Sequence, residues 1–379
     1  MRWGWKRCVC LGLGALARLL AWAGSPAHAA DSLSVVAEPE QRPLVRHSWY
    51  PIPIAFYQEE TSVGFGVAGG YYFKSRSLKE VSSITGSVIY TLRRQAKLNV
   101  NPRFYTRDGR FHFLGNLQLR YYPEKYYGIG AGAPREGVDY ISRAVSANFQ
   151  PFYRFRPELE AGLVANARAE SVPQGEAKSL EARLAYGGRN EAGWTPYFQW
   201  GLGLQLVYDT RDNLAYPQRF SHFLKVGWIS YLRAWGCTYT MHSLSLDFRQ
   251  FVPTWVGQVF AWQARFETRL GREVPFGMLP SLGGSDLLRG FRERMYAGNT
   301  LLAVQAEYRV PVWRRLKAAV FCSAGNVLDV YRPEASRVKI GYGAGLRLRL
   351  NDARVHLRFD VAGNNDGQVK FYITATEAF

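Results

Sequence analysis

"KIGYGAGLRLRL", residues 339–350, alternates along its whole length. Ile340, Tyr342, Ala344, Leu346, Leu348 and Leu350 share one parity; Lys339, Gly341, Gly343, Gly345, Arg347 and Arg349 share the other. Successive side chains of a strand point to opposite faces. The stretch therefore reads as a strand with one apolar face and one basic, glycine-rich face. After a two-residue turn at Asn351-Asp352 the pattern repeats, with Val355, Leu357, Phe359 and Val361 set against His356, Arg358 and Asp360. Residues 111–121 do the same, with Phe111, Phe113, Leu117, Leu119 and Tyr121 set against His112, Asn116, Gln118 and Arg120. Two folds fit such strands. In a soluble sandwich the apolar face is the core and the polar face meets water. In a barrel spanning lipid the apolar face points out and the polar face lines a lumen.

The connections favour the barrel. Strands are expected at 49–58, 62–74, 82–92, 96–106, 111–122, 140–152, 157–168, 198–209, 220–231, 240–250, 258–270, 301–312, 316–325, 339–350, 353–363 and 369–379, sixteen in all. An even number suits a single-chain bacterial barrel. The intervening segments alternate in length: 107–110, 153–156, 251–257, 313–315 and 351–352 are short, whereas 123–139, 169–197, 271–300 and 326–338 are long. Short periplasmic turns opposite long external loops are the asymmetry of outer-membrane barrels. A sandwich has no reason to sort its loops by parity. The fold class read here is an all-β, transmembrane antiparallel barrel of sixteen strands, closed by the first and last and occupying residues 49–379.

Composition agrees with export. The chain has 48 Lys+Arg against 30 Asp+Glu, and the first 30 residues hold four of those bases and no acid, which leaves 44 − 30 = +14 for the remainder. Basic Arg2, Lys6 and Arg7, an apolar stretch from Leu11 to Ala17, and Ala27-His28-Ala29 before Ala30 read as a secretory signal over 1–30, though Arg18 interrupts the apolar run. Residues 31–48 form a short periplasmic segment. Past the signal only Cys237 and Cys322 remain, too few for a disulfide framework. No CxxC or HExxH spacing offers a metal site, and no apolar run reaches the roughly 18–20 residues of a membrane helix. Aromatic residues make up 15% of the chain and glycines number 37, a mixture suited to β-structure.

The two end strands carry their own signals. "WYPIPIAFYQEE" places Pro51 and Pro53 in the first strand, where neither can donate to a ladder. They weaken the seam with the last strand, or they only lead into the first. The chain ends "KFYITATEAF", putting Phe371, Ile373, Ala375 and Phe379 on one face, with Glu377 a charged exception. A terminal Phe379 suits the interfacial aromatic girdle.

One stretch is not explained by alternation. "GGSDLLRGFRER", residues 283–294, carries Arg289 between apolar neighbours and beside Gly290. It is either an external base facing water or lipopolysaccharide phosphate, or a device that carries one guanidinium to one place. "LLRGFRERMYAGNTLLAVQAEYRVPVW" (287–313) resembles the sixth surface loop and following strand of the BamA/TamA family of outer-membrane assembly factors, whose hallmark is an Arg-Gly-aromatic tip, here Leu288-Arg289-Gly290-Phe291. "VYDTRDNLAYP" (207–217) resembles the family's Asp-x-Arg-Asp-Asn turn; "YYPEKYYGIGAGAP" (121–134) and "GYGAGLRLRLN" (341–351) resemble segments of its short, surface-antigen-type members. The resemblance covers about residues 49–379.

It implies that the loop folds back into the lumen and that Arg289 meets acids on the inner wall. Glu307 matches the first such acid. The second position holds Ser323, so Asp329, Asp360 or Asp247 is the substitute if there is one. A buried arginine costs several kcal/mol unless a carboxylate pairs with it, and lysine lacks the planar fork. Asp209, Arg211, Asp212 and Asn213 read as a structural turn on the periplasmic side. Family members carry POTRA domains ahead of the barrel; the eighteen residues 31–48 are too few to bury a core, so the expectation is a short member lacking them.

Function follows as expectation. The first reading is a barrel that inserts or translocates polypeptides through a weak seam, by pairing the edge of its first strand with an incoming one. The alternative is a passive, anion-favouring channel or a structural barrel, lined by Arg120, Lys339, Arg347, Arg349 and Arg358. No histidine sits in a nucleophile or metal pattern, so no enzyme, no cofactor and no metal is expected. Partners are outer-membrane lipid and lipopolysaccharide, met by loop bases such as Arg135, Arg272, Arg292 and Arg294, with client polypeptides or a periplasmic protein. Scattered bases on an exported chain do not suggest nucleic acid.

Overall fold

A computed structural model of the chain describes residues 47–58, 62–73, 82–132, 136–186, 192–212, 217, 219–313, 315–328, 337–349, 356–374 and 378–379. The signal over 1–30, most of 31–48, Arg135, Asn213, Asp329, the Asn351-Asp352 turn and Glu377 lie outside them.

The wall is β1 (His47–Gln58), β2 (Ser62–Phe73), β3 (Ser82–Thr91), β4 (Ala96–Tyr105), β5 (Phe111–Tyr126), β6 (Val138–Arg156), β7 (Leu159–Ser171), β8 (Tyr197–Asp209), β9 (Ser221–Tyr231), β10 (Met241–Trp255), β11 (Gln258–Leu270), β14 (Thr300–Trp313), β15 (Leu316–Leu328), β16 (Lys339–Arg349), β17 (His356–Asn364) and β18 (Val369–Thr374). These form one sixteen-stranded antiparallel sheet in chain order. Each wall strand pairs with the next one along the chain, so register is local and follows the alternation. The sheet curves until its two ends, β1 and β18, lie against each other. The remaining two strands, β12 (Ser281–Leu282) and β13 (Tyr296–Ala297), pair only with each other, inside the loop between β11 and β14.

Burial separates the two folds that alternation left open. Val67, Val88, Phe149, Leu163, Leu204, Leu302, Val320, Tyr342 and Phe371 are exposed. Ser87, Asn99, Gln199, Gln263, Gln305, Arg347 and Arg358 are buried. A sandwich requires the reverse. An outer surface this apolar is suited to hydrocarbon, and the polar face lines an interior. No helix among the described residues is long and apolar enough to cross a membrane.

The loop ends differ in content. One rim carries tight links such as 106–110, 157–158 and 256–257. The other carries the long connections, and one of these contains a helix that alternation did not anticipate, α1 (Gly175–Tyr186). Behind α1, Trp194 packs on Phe276 with ring centroids 4.6 Å apart, and Tyr126 and Tyr140 close the same aromatic cluster. This joins the loop between β7 and β8 to the base of the 271–299 loop.

Candidate functional site

The 271–299 loop turns inward. Its stalk is the β12–β13 pair, Ser281 opposite Ala297 and Leu282 opposite Tyr296. Leu282, Leu287, Leu288, Phe291, Met295 and Tyr296 form a small apolar core with the inward wall residues Leu301, Ala303 and Val327. The spacing in "LLRGF" puts apolar residues on both sides of the arginine, so burial of its neighbours carries Arg289 down with them. Residues 283–294 are thus not an external base patch: Arg289 is 1% exposed.

The backbone is shaped for this descent. Leu288 takes φ 59° and Gly290 takes φ 103°. A non-glycine residue in the left-handed region is uncommon and held only by its surroundings. At Gly290 two constraints meet, because a Cβ would also lie 2.7 Å from the Gly363 carbonyl oxygen. The wall makes matching room: at Gly341 a Cβ would lie 2.2 Å from the Arg289 carbonyl oxygen, and at Gly345 it would overlap an Asp360 carboxylate oxygen. The inward glycines of β16 are a floor for the loop tip.

Arg289 meets two carboxylates. Its Nη2 donates to Glu307 Oε2 on β14 at 2.7 Å and its Nη1 to Asp360 Oδ2 on β17 at 2.8 Å. The guanidinium lies 3.4 Å from the centroid of the Phe321 ring on β15, a cation–π contact. Burial alone would lower the Arg289 pKa, but Glu307 and Asp360 outweigh it and hold the group above its ordinary value. The two acids are shared. Arg309 Nε donates to Glu307 Oε1 at 2.9 Å; Arg347 donates to Glu307 Oε1 at 3.1 Å and to Asp360 Oδ1 at 2.5 Å. Arg358 reaches the loop itself, donating to the Ser285 carbonyl at 2.7 Å and to Asp286 Oδ1 at 3.0 Å. Around Gly290, Asn364 Nδ2 donates to the carbonyl at 2.6 Å while the Gly290 N–H donates to the Tyr372 hydroxyl at 3.0 Å. The tip is tied to β14, β15, β16, β17 and β18.

The remaining expected residues separate. Ser323 stands on the inward face of β15, but its hydroxyl donates to the Gly341 carbonyl at 3.2 Å rather than meeting the Arg289 guanidinium. Its short side chain lies beside the tip's backbone, and the second carboxylate comes from Asp360. Asp247 is elsewhere, accepting from Arg249 at 2.6 Å and Gln263 at 2.7 Å. Asp209 and Arg211 form a closed turn: Arg211 Nη2 lies 2.7 Å from Asp209 Oδ2, and its guanidinium stacks 4.5 Å from the Phe223 ring. The Asp209 N–H donates to the Glu158 carbonyl at 2.8 Å, which sets this turn at the rim of tight links.

The expectation for Phe379 fails. Instead of the lipid girdle it occupies the interior, 4% exposed, packed with Phe251, Val259 and Ala261. Arg309 Nη2 donates to its carbonyl at 3.2 Å and the guanidinium sits 5.4 Å from its ring. The reason is geometric. An apolar inward pocket of β10 and β11 takes the ring, a contact that parity along a single strand does not reveal. Pro51 and Pro53 lie inside β1, opposite Gly69 and Val67 of β2, rather than ahead of it. Arg292 and Arg294 face the interior too, toward Tyr127 and Glu124.

Alternation turned Gln305, Glu307 and Arg309 inward but gave Arg309 no partner; it missed the floor role of the β16 glycines, and it assigned Arg347 and Arg358 to a water-filled lumen. The signal available was register: Arg347 and Arg358 stand directly opposite on β16 and β17, a like-charge pairing that requires acids nearby.

The sequence profile of the Omp85 superfamily domain matches residues 78–379. No curated protein matches the chain. Among solved structures, the chain is similar to BamA from Haemophilus ducreyi lacking POTRA domains 1–3, with TM-score 0.61 and 14% identity over 96% of this chain and 77% of that one. It is similar to CdiB from Acinetobacter baumannii, TM-score 0.56 and 12% identity over 87% of this chain and 60% of that one. It is also similar to CdiB from Escherichia coli, TM-score 0.54 and 12% identity over 88% and 63%. The chain thus spans less than two thirds of the CdiB proteins. At these identities the likeness is one of fold.

Proposed function

The chain belongs to the Omp85 superfamily, and from that membership we propose that it works in a bacterial outer membrane as a factor that inserts or translocates polypeptides through the junction of β1 and β18. The observation that carries this reading is the seam between the two end strands. β1 and β18 lie against each other, yet among the described residues each joins the ladder through one neighbour, β1 through β2 and β18 through β17. Donors and acceptors on the outer edge of β1 are therefore left for another partner. The two prolines sharpen the point: spaced two apart, they remove donors from one and the same edge of the strand. An incoming strand then pairs with β1 by β-augmentation.

The loop tip supplies the counterpart. Arg289, Glu307 and Asp360 bind β14 to β17 into one unit, so that opening is confined to the seam. The partners of this reading are client polypeptides or a periplasmic protein, with membrane lipid and lipopolysaccharide around the wall.

The test is a disulfide lock. Cysteine pairs scanned between positions 47–58 and 369–374 close the seam under oxidation. The expected result is a locked protein that fails to replace the native one in cells until it is reduced. Full activity of a locked barrel would sink the proposal. Conductance in planar bilayers separates the channel reading. Arg347, Arg358 and Lys339 are buried around the loop, so a mostly closed barrel is expected; a large, steady, anion-selective current would favour the channel.

A further inference from the structure

Lys97 and Arg120 stand directly opposite each other on β4 and β5, both on the inward face. Side chains paired so are about 5 Å apart at Cβ, and like charges there are destabilising. The neighbouring inward rows need no compensation: Gln118 donates to Asn99 at 3.0 Å and Asn116 to Asn101 at 2.6 Å. The pattern of matched amides breaks at this one pair of cations.

Their surroundings treat them unequally. Arg120 reaches Glu124 at 3.2 Å and Glu170 at 3.9 Å, and donates to Ser142 at 3.1 Å, yet its Nε is buried without a partner. Lys97 is 5% exposed, and no hydrogen bond or ion pair is found for it among the described residues. An ammonium on a mostly buried stem with no carboxylate beside it is disfavoured. Both side chains line a cavity of about 990 Å³ beneath the long loops. Its walls hold twelve Lys and Arg against four acids, Glu124, Asp139, Glu267 and Glu293. The acids beside Arg120 are shared: Glu124 accepts from Tyr140 at 2.6 Å and lies 3.8 Å from Arg294, and Glu170 lies 2.7 Å from Arg168.

We propose that this vestibule is a binding site for a phosphate-bearing anion, seated between Lys97 and Arg120. Two facing cations ask for two negative charges at one point. A phosphomonoester carries about −1.5 to −2 at neutral pH in a single compact group with three acceptor oxygens; a carboxylate carries one. Lysine offers a point charge and arginine a fork, and both are phosphate ligands. The exposed Arg93 and Arg94 of the turn between β3 and β4 stand at the rim, where they steer an anion inward. The site needs neither seam opening nor a client chain, so it is independent of the proposed function.

The experiment is calorimetric titration of the full chain in nanodiscs, at two salt concentrations. The probes are inorganic pyrophosphate, glucosamine 1-phosphate, vesicles containing lipid A, and polyglutamate. Saturable binding of a phosphate probe is expected, weakened by salt and at least ten-fold weaker in Lys97→Met. Binding of the soluble probes assigns a free phosphorylated ligand; binding of lipid A alone assigns a lipid headgroup. Equal affinity for polyglutamate, or no binding of any phosphate probe, overturns the proposal. So does equal binding by Lys97→Met. A second readout guards against misfolding: without ligand, Lys97→Met should melt no lower than the native chain, because it removes an unpartnered charge. A lower melting temperature would mark Lys97 as a structural cation and overturn the proposal as well.

Discussion

Two pairs of inward cations face each other across adjacent strands, and they are handled in opposite ways. Arg347 and Arg358 lie opposite on β16 and β17; Lys97 and Arg120 lie opposite on β4 and β5. The first pair is fully buried. There Asp360 and Glu307 stand between the arginines, and the 271–299 loop brings Asp286 from above and one more guanidinium, Arg289. The second pair is left beside a cavity, with one member unpartnered. The difference teaches what the loop does. Acids on the wall offset the desolvation of the arginines where they touch them directly. The loop tip lies against the first pair, through Ser285, Asp286 and Arg289, whereas the second is left beside a cavity that the loop borders with Arg292, Glu293 and Arg294.

The largest test makes the first region resemble the second. Glu307 accepts from Arg289, Arg309 and Arg347. Glu307→Gln keeps the shape and removes the charge, leaving three buried guanidiniums with one carboxylate fewer. Breaking a buried pair in this way costs roughly 3–5 kcal/mol. The expected outcome is a lower unfolding temperature in detergent and a loop 271–299 that proteases cut. A variant that melts like the native chain would mean the arginines find other partners, and the contrast between the regions would dissolve. Arg289→Lys keeps the charge but not the fork; one charge-assisted bond is worth about 1.5–3 kcal/mol, and a loss smaller than that of Glu307→Gln is expected in the same assay.

Much of this region was legible in advance, and the limits are physical. Parity placed Gln305, Glu307 and Arg309 inward because β14 is a regular strand that one register describes. Parity failed at Phe379, whose direction is set by a pocket formed by β10 and β11, distant in sequence. The helix α1 escaped a search for alternation because it has a different period. Gly341 and Gly345 read as polar-side spacers, since a sequence shows that a side chain is missing but not what fills its place. Asp360 was one of several acids on inward faces, and only the fold brings it to within 2.8 Å of Arg289.

The glycine floor gives a test of intermediate size. Gly341→Val would press a branched side chain against the Arg289 carbonyl, at a position where even a Cβ would lie 2.2 Å away. The obstruction is backbone, so it cannot rotate aside. Overpacking of this kind costs typically 1–3 kcal/mol. The tip should lift while the ladder from β15 to β17 stays intact. Proteolysis of the loop should therefore rise faster than the unfolding temperature falls. Equal changes in both would show that β16 itself had been disrupted and that the glycine serves the strand.

The smallest expected effect belongs to Ser323, and it decides which acid completes the site. The resemblance places a carboxylate at this position; the hydroxyl found there bonds only the Gly341 carbonyl. Ser323→Ala removes one neutral hydrogen bond, worth about 0.5–1.5 kcal/mol, and leaves Glu307 and Asp360 untouched. Its loop should remain protected, whereas Asp360→Asn should expose it, because that change takes a carboxylate from Arg289, Arg347 and Arg358 together. A serine variant that releases the tip as readily as the aspartate variant would show that the position on β15 still governs the anchor. Ranking Asp360→Asn above Ser323→Ala is thus the measurement that locates the second carboxylate on β17.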